Sequence, residues 1–114
     1  MYGIHMLRTK RQRRLLCRDC PVARVADSLG DSVSILILRD LLVKSRRFTD
    51  FELAFQGVSS RTICNKLKKL EKAGFVSRHA NYRLGNRVDY RVTAKGRALG
   101  PVLDAMRVYG EKYL

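Results

Sequence analysis

Apolar side chains recur at helical spacing along most of this chain, most clearly in a helix predicted at about residues 59–73. Ile63, Leu67 and Leu70 follow one another at intervals of four and three, so they share one face. Ser59 is a good N-cap, because its hydroxyl can accept from an otherwise unpaired backbone N–H. Such a helix is either a solvated surface helix or one that can lie in a DNA major groove. Its outer face carries Arg61, Asn65, Lys68, Lys69 and Lys72, with Thr62 at the edge.

Two further helices are predicted near the start of the folded part. Pro21 suits the first position of a helix whose apolar stripe stops at Gly30. Residues 31–43 are apolar almost all round, which predicts a buried central helix. Residues 35–38 alone would also fit a strand, but the apolar pattern extends through Leu42 and favours the helix.

A short helix is predicted immediately before the basic-faced one. Residues 44–47 are expected to form a loop, and Thr49 with Glu52 fits a capping box that starts a helix running to about Phe55. Residues 56–58, which include a glycine, then turn the chain. Helix, glycine-containing turn and basic-faced helix together predict a helix-turn-helix.

The apolar period changes from 3.6 to 2 after this motif. Residues 75–79 and 87–92 are predicted strands, joined by a loop at residues 81–86. A β-hairpin directly after a helix of this type is a wing, here at about residues 76–92. A cationic wing tip can contact backbone phosphates or enter the minor groove. The cations at this tip are Arg83 and Arg87.

The last segment is predicted to be an amphipathic helix capped by Thr93. Pro101 either kinks that helix or marks the start of its main part. Its apolar positions alternate at spacings of three and four, as in two packed helices. We expect this face to pair with a second subunit, although it could fold back on its own core. The residues are Leu99, Val102, Met106, Tyr109 and Tyr113.

The predicted fold class is therefore mainly α with a small β-hairpin. It is a winged helix-turn-helix whose N- and C-terminal helices form a dimer interface. A two-fold dimer would match two half-sites about one DNA turn apart.

Composition favours a polyanionic partner. The 114 residues contain 24 Lys+Arg and 10 Asp+Glu, a net charge of +14. We divide the chain into a basic N-terminal arm, residues 1–19, and a folded domain, residues 20–114. No apolar run approaches the roughly 20 residues that cross a membrane, and no signal-peptide core precedes the domain, so we expect a cytoplasmic protein without membrane contact.

Cysteine usage raises the question of redox chemistry. Cys17 and Cys20 form a C-x-x-C pair, but the second pair that zinc would need is missing, and we expect no metal or cofactor. Cys20 precedes a proline at a helix start, with Arg18 and Arg24 nearby, a setting that favours the reactive thiolate. The alternative is a packing cysteine at a dimer interface. No catalytic set of residues is visible, so an enzyme is not expected.

Several segments, in this order and spacing, resemble the HxlR-type winged helix-turn-helix regulators from about residue 20 to residue 114. The resemblance implies a homodimeric bacterial or archaeal transcription factor that represses or activates nearby genes. It also implies an effector, either an oxidant or a small molecule, with Cys20 at the position of the sensor cysteine of several members. The segments are Cys20-Pro21-Val22, Ile37-Leu38-Arg39-Asp40-Leu41, Arg47-Phe48-Thr49-Asp50-Phe51, Val58-Ser59-Ser60-Arg61, Leu67-Lys68-Lys69-Leu70-Glu71-Lys72-Ala73-Gly74-Phe75-Val76, Arg87-Val88-Asp89-Tyr90-Arg91-Val92-Thr93 and Lys95-Gly96-Arg97.

A double-stranded DNA operator is the expected partner. Arg61 is suited to guanine and Asn65 to adenine, because each can form two hydrogen bonds with one base edge. The alternative function is non-specific binding of RNA or chromatin, against which the scarcity of aromatic residues for base stacking speaks. Base contacts are assigned to Ser60, Arg61, Thr62, Asn65 and Lys66, and Ser59 is counted with them among the DNA-binding residues. Phosphate contacts are assigned to Arg46, Arg47, Lys68, Lys69, Arg83 and Arg87.

Overall fold

The computed structural model describes residues 20–114. The predicted basic arm, residues 1–19, lies outside the described residues, and so does Cys17. The chain divides into two compact units, one ending at Asp31 and the other running from Ser32 to Leu114.

The described part of the first unit is one helix, α1 (Pro21–Leu29). Cys20 is its N-cap, and the Sγ atom accepts from the backbone N–H of Ala23 at 3.4 Å. Gly30 ends the helix at φ +81°, a conformation that glycine adopts without strain. The start and stop predicted for this helix are therefore confirmed.

The core of the second unit is built by three helices: α2 (Ser32–Val43), α3 (Phe48–Ala54) and α4 (Ser60–Lys72). Their innermost side chains are fully or almost fully buried. They are Ile37, Leu38 and Leu41 of α2, Phe51 of α3, and Ile63, Leu67 and Leu70 of α4.

The predicted buried central helix is α2, but only one of its faces is buried. One face packs on the core, but Val43 is 74% exposed, and Ile35 and Leu36 are half-buried on the other side. The reason is that the core elements of this unit cover only one side of α2. The apolar side chains on the second side of α2 are not covered by these core elements.

The region before α3 also differs from the prediction. Arg46–Arg47 is not a loop but a short strand, β1, paired with Tyr90 and Asp89. Helix α3 begins directly after it, and the Asp50 carboxylate accepts from the Arg47 backbone N–H at 2.8 Å. The capping box assigned to Thr49 and Glu52 is therefore wrong by two residues, because strand pairing fixes where the helix starts.

The sheet has three antiparallel strands in the order β1-β3-β2, where β2 is Val76–Asn81 and β3 is Arg87–Val92. The predicted hairpin is confirmed, with β2 reaching two residues further than expected. Tyr90 of β3 turns inward and meets the ring of Phe51 edge-on, with 6.4 Å between centroids. This contact holds the sheet against the helices.

The C-terminal segment is two helices, α5 (Ala94–Arg97) and α6 (Gly100–Tyr113). Thr93 caps the first, since its hydroxyl oxygen accepts from Gly96 N–H at 3.1 Å. Pro101 lies in the first turn of α6, which confirms that it marks the start of the main helix. In the part of the chain that the structure describes, no helix has the length and hydropathy of a membrane span.

Candidate nucleic-acid interface

Helix α4 is defined at both ends by local hydrogen bonds. The Ser59 hydroxyl oxygen accepts from Thr62 N–H at 3.1 Å, as predicted for an N-cap. At the other end Gly74 takes φ +86°, and Phe75 N–H returns to the carbonyl oxygen of Leu70 at 3.0 Å. This Schellman-type ending satisfies terminal carbonyls and turns the chain into β2.

The two faces of α4 are as unlike as the sequence predicted. Ile63, Leu67 and Leu70 are at most 1% exposed and anchor the helix to the core. Thr62 and Lys66 are half-buried at the edge of the outer face. The residues that are exposed on the outer face are Arg61, Asn65, Lys68, Lys69 and Lys72. A rigidly held helix therefore presents cations and one amide to solvent.

The first turn of α4 contains a contact that the sequence did not reveal. The Ser60 hydroxyl is hydrogen-bonded to the Glu52 carboxylate of α3. Beside it, the Ser59 hydroxyl donates to Thr62 Oγ1 at 2.9 Å. Two of the predicted DNA-binding residues, Ser59 and Ser60, therefore already form hydrogen bonds within the protein. Glu52 was missed because its sequence spacing suggested a capping role.

Two of the predicted phosphate-binding cations are oriented by internal contacts. Arg46 is half-buried, and its Nε donates to the carbonyl oxygen of Asp40 at 3.3 Å. Arg87 Nε lies 3.1 Å from Asp89 Oδ1, which offsets part of its charge. In contrast Arg47 is exposed at the start of α3.

The wing tip is a single 3₁₀ turn, Tyr82–Leu84, between β2 and β3. The Asn81 side chain accepts from Arg83 N–H at 3.1 Å and shapes this turn. Arg83 is exposed there, and Tyr82 is 79% exposed. The tip is therefore a cation beside an aromatic ring.

The outward face of the hairpin adds polar residues that sequence reasoning did not select. Ser77 and His79 share it, with 2.8 Å between Oγ and Nε2. Arg91 pairs with Ser77 in register and is exposed on the same face. The signal was available, because Arg91 alternates with the inward-facing Tyr90 and Val92.

Helix α6 leaves most of its apolar seam uncovered. Val102, Met106, Tyr109 and Tyr113 are 40%, 48%, 60% and 61% exposed. Leu99 differs from the other predicted interface residues, because at 8% exposure it belongs to the chain's own core and leaves little surface for a second subunit.

A groove runs between α2 and α6. It has a volume of about 750 Å³, and Ile35, Leu36 and Leu42 of α2 face Leu103 and Met106 of α6 across it. Sequence reasoning missed it, since the apolar residues on both sides were assigned to the core or to the seam.

Cys20 is exposed at its cap position, whereas Cys64 is half-buried beside the anchoring face of α4. Among residues 20–114, no three His, Cys, Asp or Glu side chains are grouped as metal ligands would be.

A helix-turn-helix whose second helix is followed by a β-hairpin defines the winged-helix class of DNA-binding proteins. Residues 28–114 match the family model described as HxlR-like helix-turn-helix. The chain belongs to this family and is a DNA-binding helix-turn-helix transcriptional regulator, which is not an enzyme class.

Relatives and solved structures agree with this assignment. The chain is 38% identical over 95 residues to the HTH-type transcriptional regulator sll1512 of Synechocystis sp., covering 83% of this chain and 70% of that protein. It is 31% identical to YdeP of Bacillus subtilis, covering 82% and 73%. Two solved structures are also similar to this chain. The redox regulator HypR in its reduced form superposes with a TM-score of 0.77 at 26% identity, covering 81% of this chain and 91% of that one. The reduced transcriptional regulator YodB from B. subtilis gives 0.73 at 27%, covering 82% and 93%.

Proposed function

We propose that this regulator binds a double-stranded DNA operator as a homodimer, with α4 in the major groove and the wing on the flanking backbone or minor groove. The observation that carries the proposal is the contrast between the two faces of α4. Its inner face is buried at Ile63, Leu67 and Leu70, and its outer face is exposed and cationic. A helix held this firmly can enter a groove without losing its own packing.

Base reading is assigned to the N-terminal half of α4. Arg61 and Asn65 are both exposed there and four residues apart, so they lie on one side of the helix. Each can make paired hydrogen bonds in the major groove, Arg61 with guanine and Asn65 with adenine. Ser59 and Thr62 hold the start of the helix, and Lys66 lies beside the reading side chains.

Phosphate contacts are assigned to cations around the reading residues. Lys68 and Lys69 follow on α4, Arg47 precedes α3, and Arg83 stands at the wing tip. Arg46 is oriented by the backbone carbonyl of Asp40, and Arg87 is oriented by the Asp89 carboxylate, which also offsets part of its charge. The phosphate contacts position the protein and add salt-dependent affinity without reading sequence.

Dimer formation is assigned to the exposed seam of α6. Val102, Met106, Tyr109 and Tyr113 lie along one side of a helix with no buried residue. Contiguous apolar side chains of this kind mark an interaction surface on a charged protein. A two-fold pairing through α6 would place two copies of α4 on successive major-groove faces.

An oxidant is the effector we favour, with Cys20 as its target. The Sγ atom is exposed and accepts from Ala23 N–H at the positive end of α1. A thiolate at this atom would attack one oxygen of a hydroperoxide, the O–O bond would break, and sulfenic acid with hydroxide or an alkoxide would result. One similar structure, HypR, is a redox regulator, and the similar YodB structure is of a reduced form. Both support this choice.

Selection from a random duplex DNA library with the reduced full chain tests the proposal. A palindrome with half-sites about 10–11 bp apart is the expected result. Tight binding that depends steeply on salt but enriches no sequence would overturn it. In that case non-specific binding of RNA or chromatin would be the better account, with exposed Tyr82 and Arg83 as its stacking and phosphate contacts.

A further inference from the structure

We propose that Glu52 sets the base preference of this regulator. By taking the Ser60 proton in a hydrogen bond, it leaves Ser60 able only to accept hydrogen bonds from a base. The inference rests on the proposed DNA reading by α4 and adds a specificity-determining residue from α3. Its structural basis is the hydrogen bond between the Ser60 hydroxyl and the Glu52 carboxylate. Both residues are exposed. Glu52 lies near the end of α3, and Ser60 is the first residue of α4.

A serine hydroxyl usually reads any base, because its single proton can turn toward or away from the base edge. An ionised carboxylate has no proton to give and can only accept. The Ser60 proton is therefore directed to Glu52, and only lone pairs of Ser60 Oγ remain for other partners. The second carboxylate oxygen of Glu52 is also an acceptor. The pair presents acceptors alone to whatever lies against the first turn of α4.

The neighbouring hydroxyls of Ser59 and Thr62 are hydrogen-bonded to each other, with 2.9 Å between their oxygens, and Ser59 Oγ also accepts from Thr62 N–H at 3.1 Å. The expected base preference therefore concerns the Glu52–Ser60 pair alone. Acceptors at this place suit only base edges that carry an amino group in the major groove, which are cytosine N4 and adenine N6. Guanine O6 and N7 and thymine O4 are acceptors and would face lone pairs without a proton between them.

We therefore expect the operator to show cytosine or adenine, and not guanine or thymine, at one position in each half-site. The preference should be about fivefold or more, the lower end of what a good base contact contributes. Glu52→Ala frees the Ser60 proton, so that guanine and thymine become acceptable at that position alone. Ser60→Ala removes the hydroxyl but leaves the Glu52 carboxylate, so the preference at the same position should weaken.

The test is library selection with the full chain in four forms: native, Glu52→Ala, Ser60→Ala and Glu71→Ala. Glu71 is an exposed acid at the far end of the same helix, so its replacement changes net charge equally without touching Ser60. The expected result is that Glu52→Ala and Ser60→Ala alter one and the same position, while Glu71→Ala reproduces the native profile.

Three other results are distinguishable. If the native protein selects an operator and the Glu52→Ala profile is identical to it, the role of Glu52 is wrong and the DNA-reading proposal stands. If Glu52→Ala tightens binding to all sequences alike, Glu52 acts only through its charge, and the inference is again wrong. If the native protein selects no sequence, the DNA-reading proposal and the inference both fail.

Discussion

The Lys95 ammonium donates a hydrogen bond to the carbonyl oxygen of Ala73, with 2.8 Å between the two atoms. The same Nζ lies 5.0 Å from the centroid of the Phe75 ring, a cation–π distance. Next to it, the Thr93 hydroxyl donates to the carbonyl oxygen of Gly74. The segment before α6 therefore caps the C-terminal end of α4.

Replacing Lys95 by methionine tests how much the charged contacts of Lys95 with Ala73 and Phe75 contribute to stability. Methionine keeps most of the side-chain length but cannot donate to Ala73 or place a charge at the negative end of α4. We expect a loss of about 0.3–1 kcal/mol in the free energy of unfolding. Urea denaturation of Lys95→Met beside Lys68→Met, an exposed lysine within α4 and outside its last turn, measures it. Equal effects of the two changes would contradict the capping role.

Gly96→Ala tests the tightness of the same junction. A Cβ atom at residue 96 would lie 2.3 Å from the carbonyl oxygen of Phe75 and 2.6 Å from Val92 Cγ2. The backbone must move to admit it, and such overpacking costs about 1–3 kcal/mol. Thermal unfolding should show a clear drop in Tm. The matched control is Gly110→Ala, inside α6, because a Cβ there meets nothing within 4 Å and should leave Tm unchanged or raise it slightly.

The parts of this molecule that the sequence predicted well are those with local causes. Helix α4 combines Ile63, Leu67 and Leu70 at helical spacing with a capping serine and a stopping glycine, and all of these signals lie within the segment. The hairpin follows from strict alternation at Val88, Tyr90 and Val92. Neither prediction needed information from elsewhere in the chain.

The parts that were mispredicted depend on contacts between distant segments. Arg46–Arg47 has no strand pattern of its own and becomes β1 only because β3 offers unpaired backbone groups. That pairing moves the cap of α3 from Thr49 to the Arg47–Asp50 pair. Glu52 is not part of that cap, and its carboxylate is hydrogen-bonded to Ser60, eight residues away. Likewise, apolar spacing alone could not distinguish Leu99, buried within the chain, from Met106, left exposed.

Replacing Asn65 or Lys69 by alanine should weaken DNA binding in two different ways. Asn65→Ala removes a base contact, so discrimination at one operator position should fall by about 1–3 kcal/mol. Lys69→Ala removes a phosphate contact, so all sequences should bind more weakly and the salt slope should fall by about one. Fluorescence anisotropy on the selected operator and on single-base variants, at several salt concentrations, separates the two. A uniform loss for Asn65→Ala would contradict its reading role.

Met106→Glu should separate the proposed dimer. The side chain is 48% exposed in the middle of the α6 seam, and a carboxylate there would be buried against apolar groups of the partner. Sedimentation velocity should show the native chain as a dimer and Met106→Glu as a folded monomer with unchanged circular dichroism. Val108→Glu is the matched control, because Val108 is 54% exposed but about 200° around the helix from Met106. A native chain that sediments as a monomer would refute the dimer.

Cys20→Ser should leave operator binding intact and remove its response to peroxide. Serine is at least as good an N-cap as the cysteine thiol, so its hydroxyl can take over the hydrogen bond from Ala23 N–H and α1 should keep its start. The serine oxygen cannot be oxidised to a sulfenic acid. Anisotropy with reduced protein, after hydrogen peroxide, and after dithiothreitol should therefore give a reversible loss for the native chain and a constant affinity for Cys20→Ser. Cys64→Ser, at the half-buried cysteine of α4, should respond like the native chain. If Cys64→Ser is the variant that becomes insensitive, the sensor lies on the DNA-reading helix and not at the cap of α1.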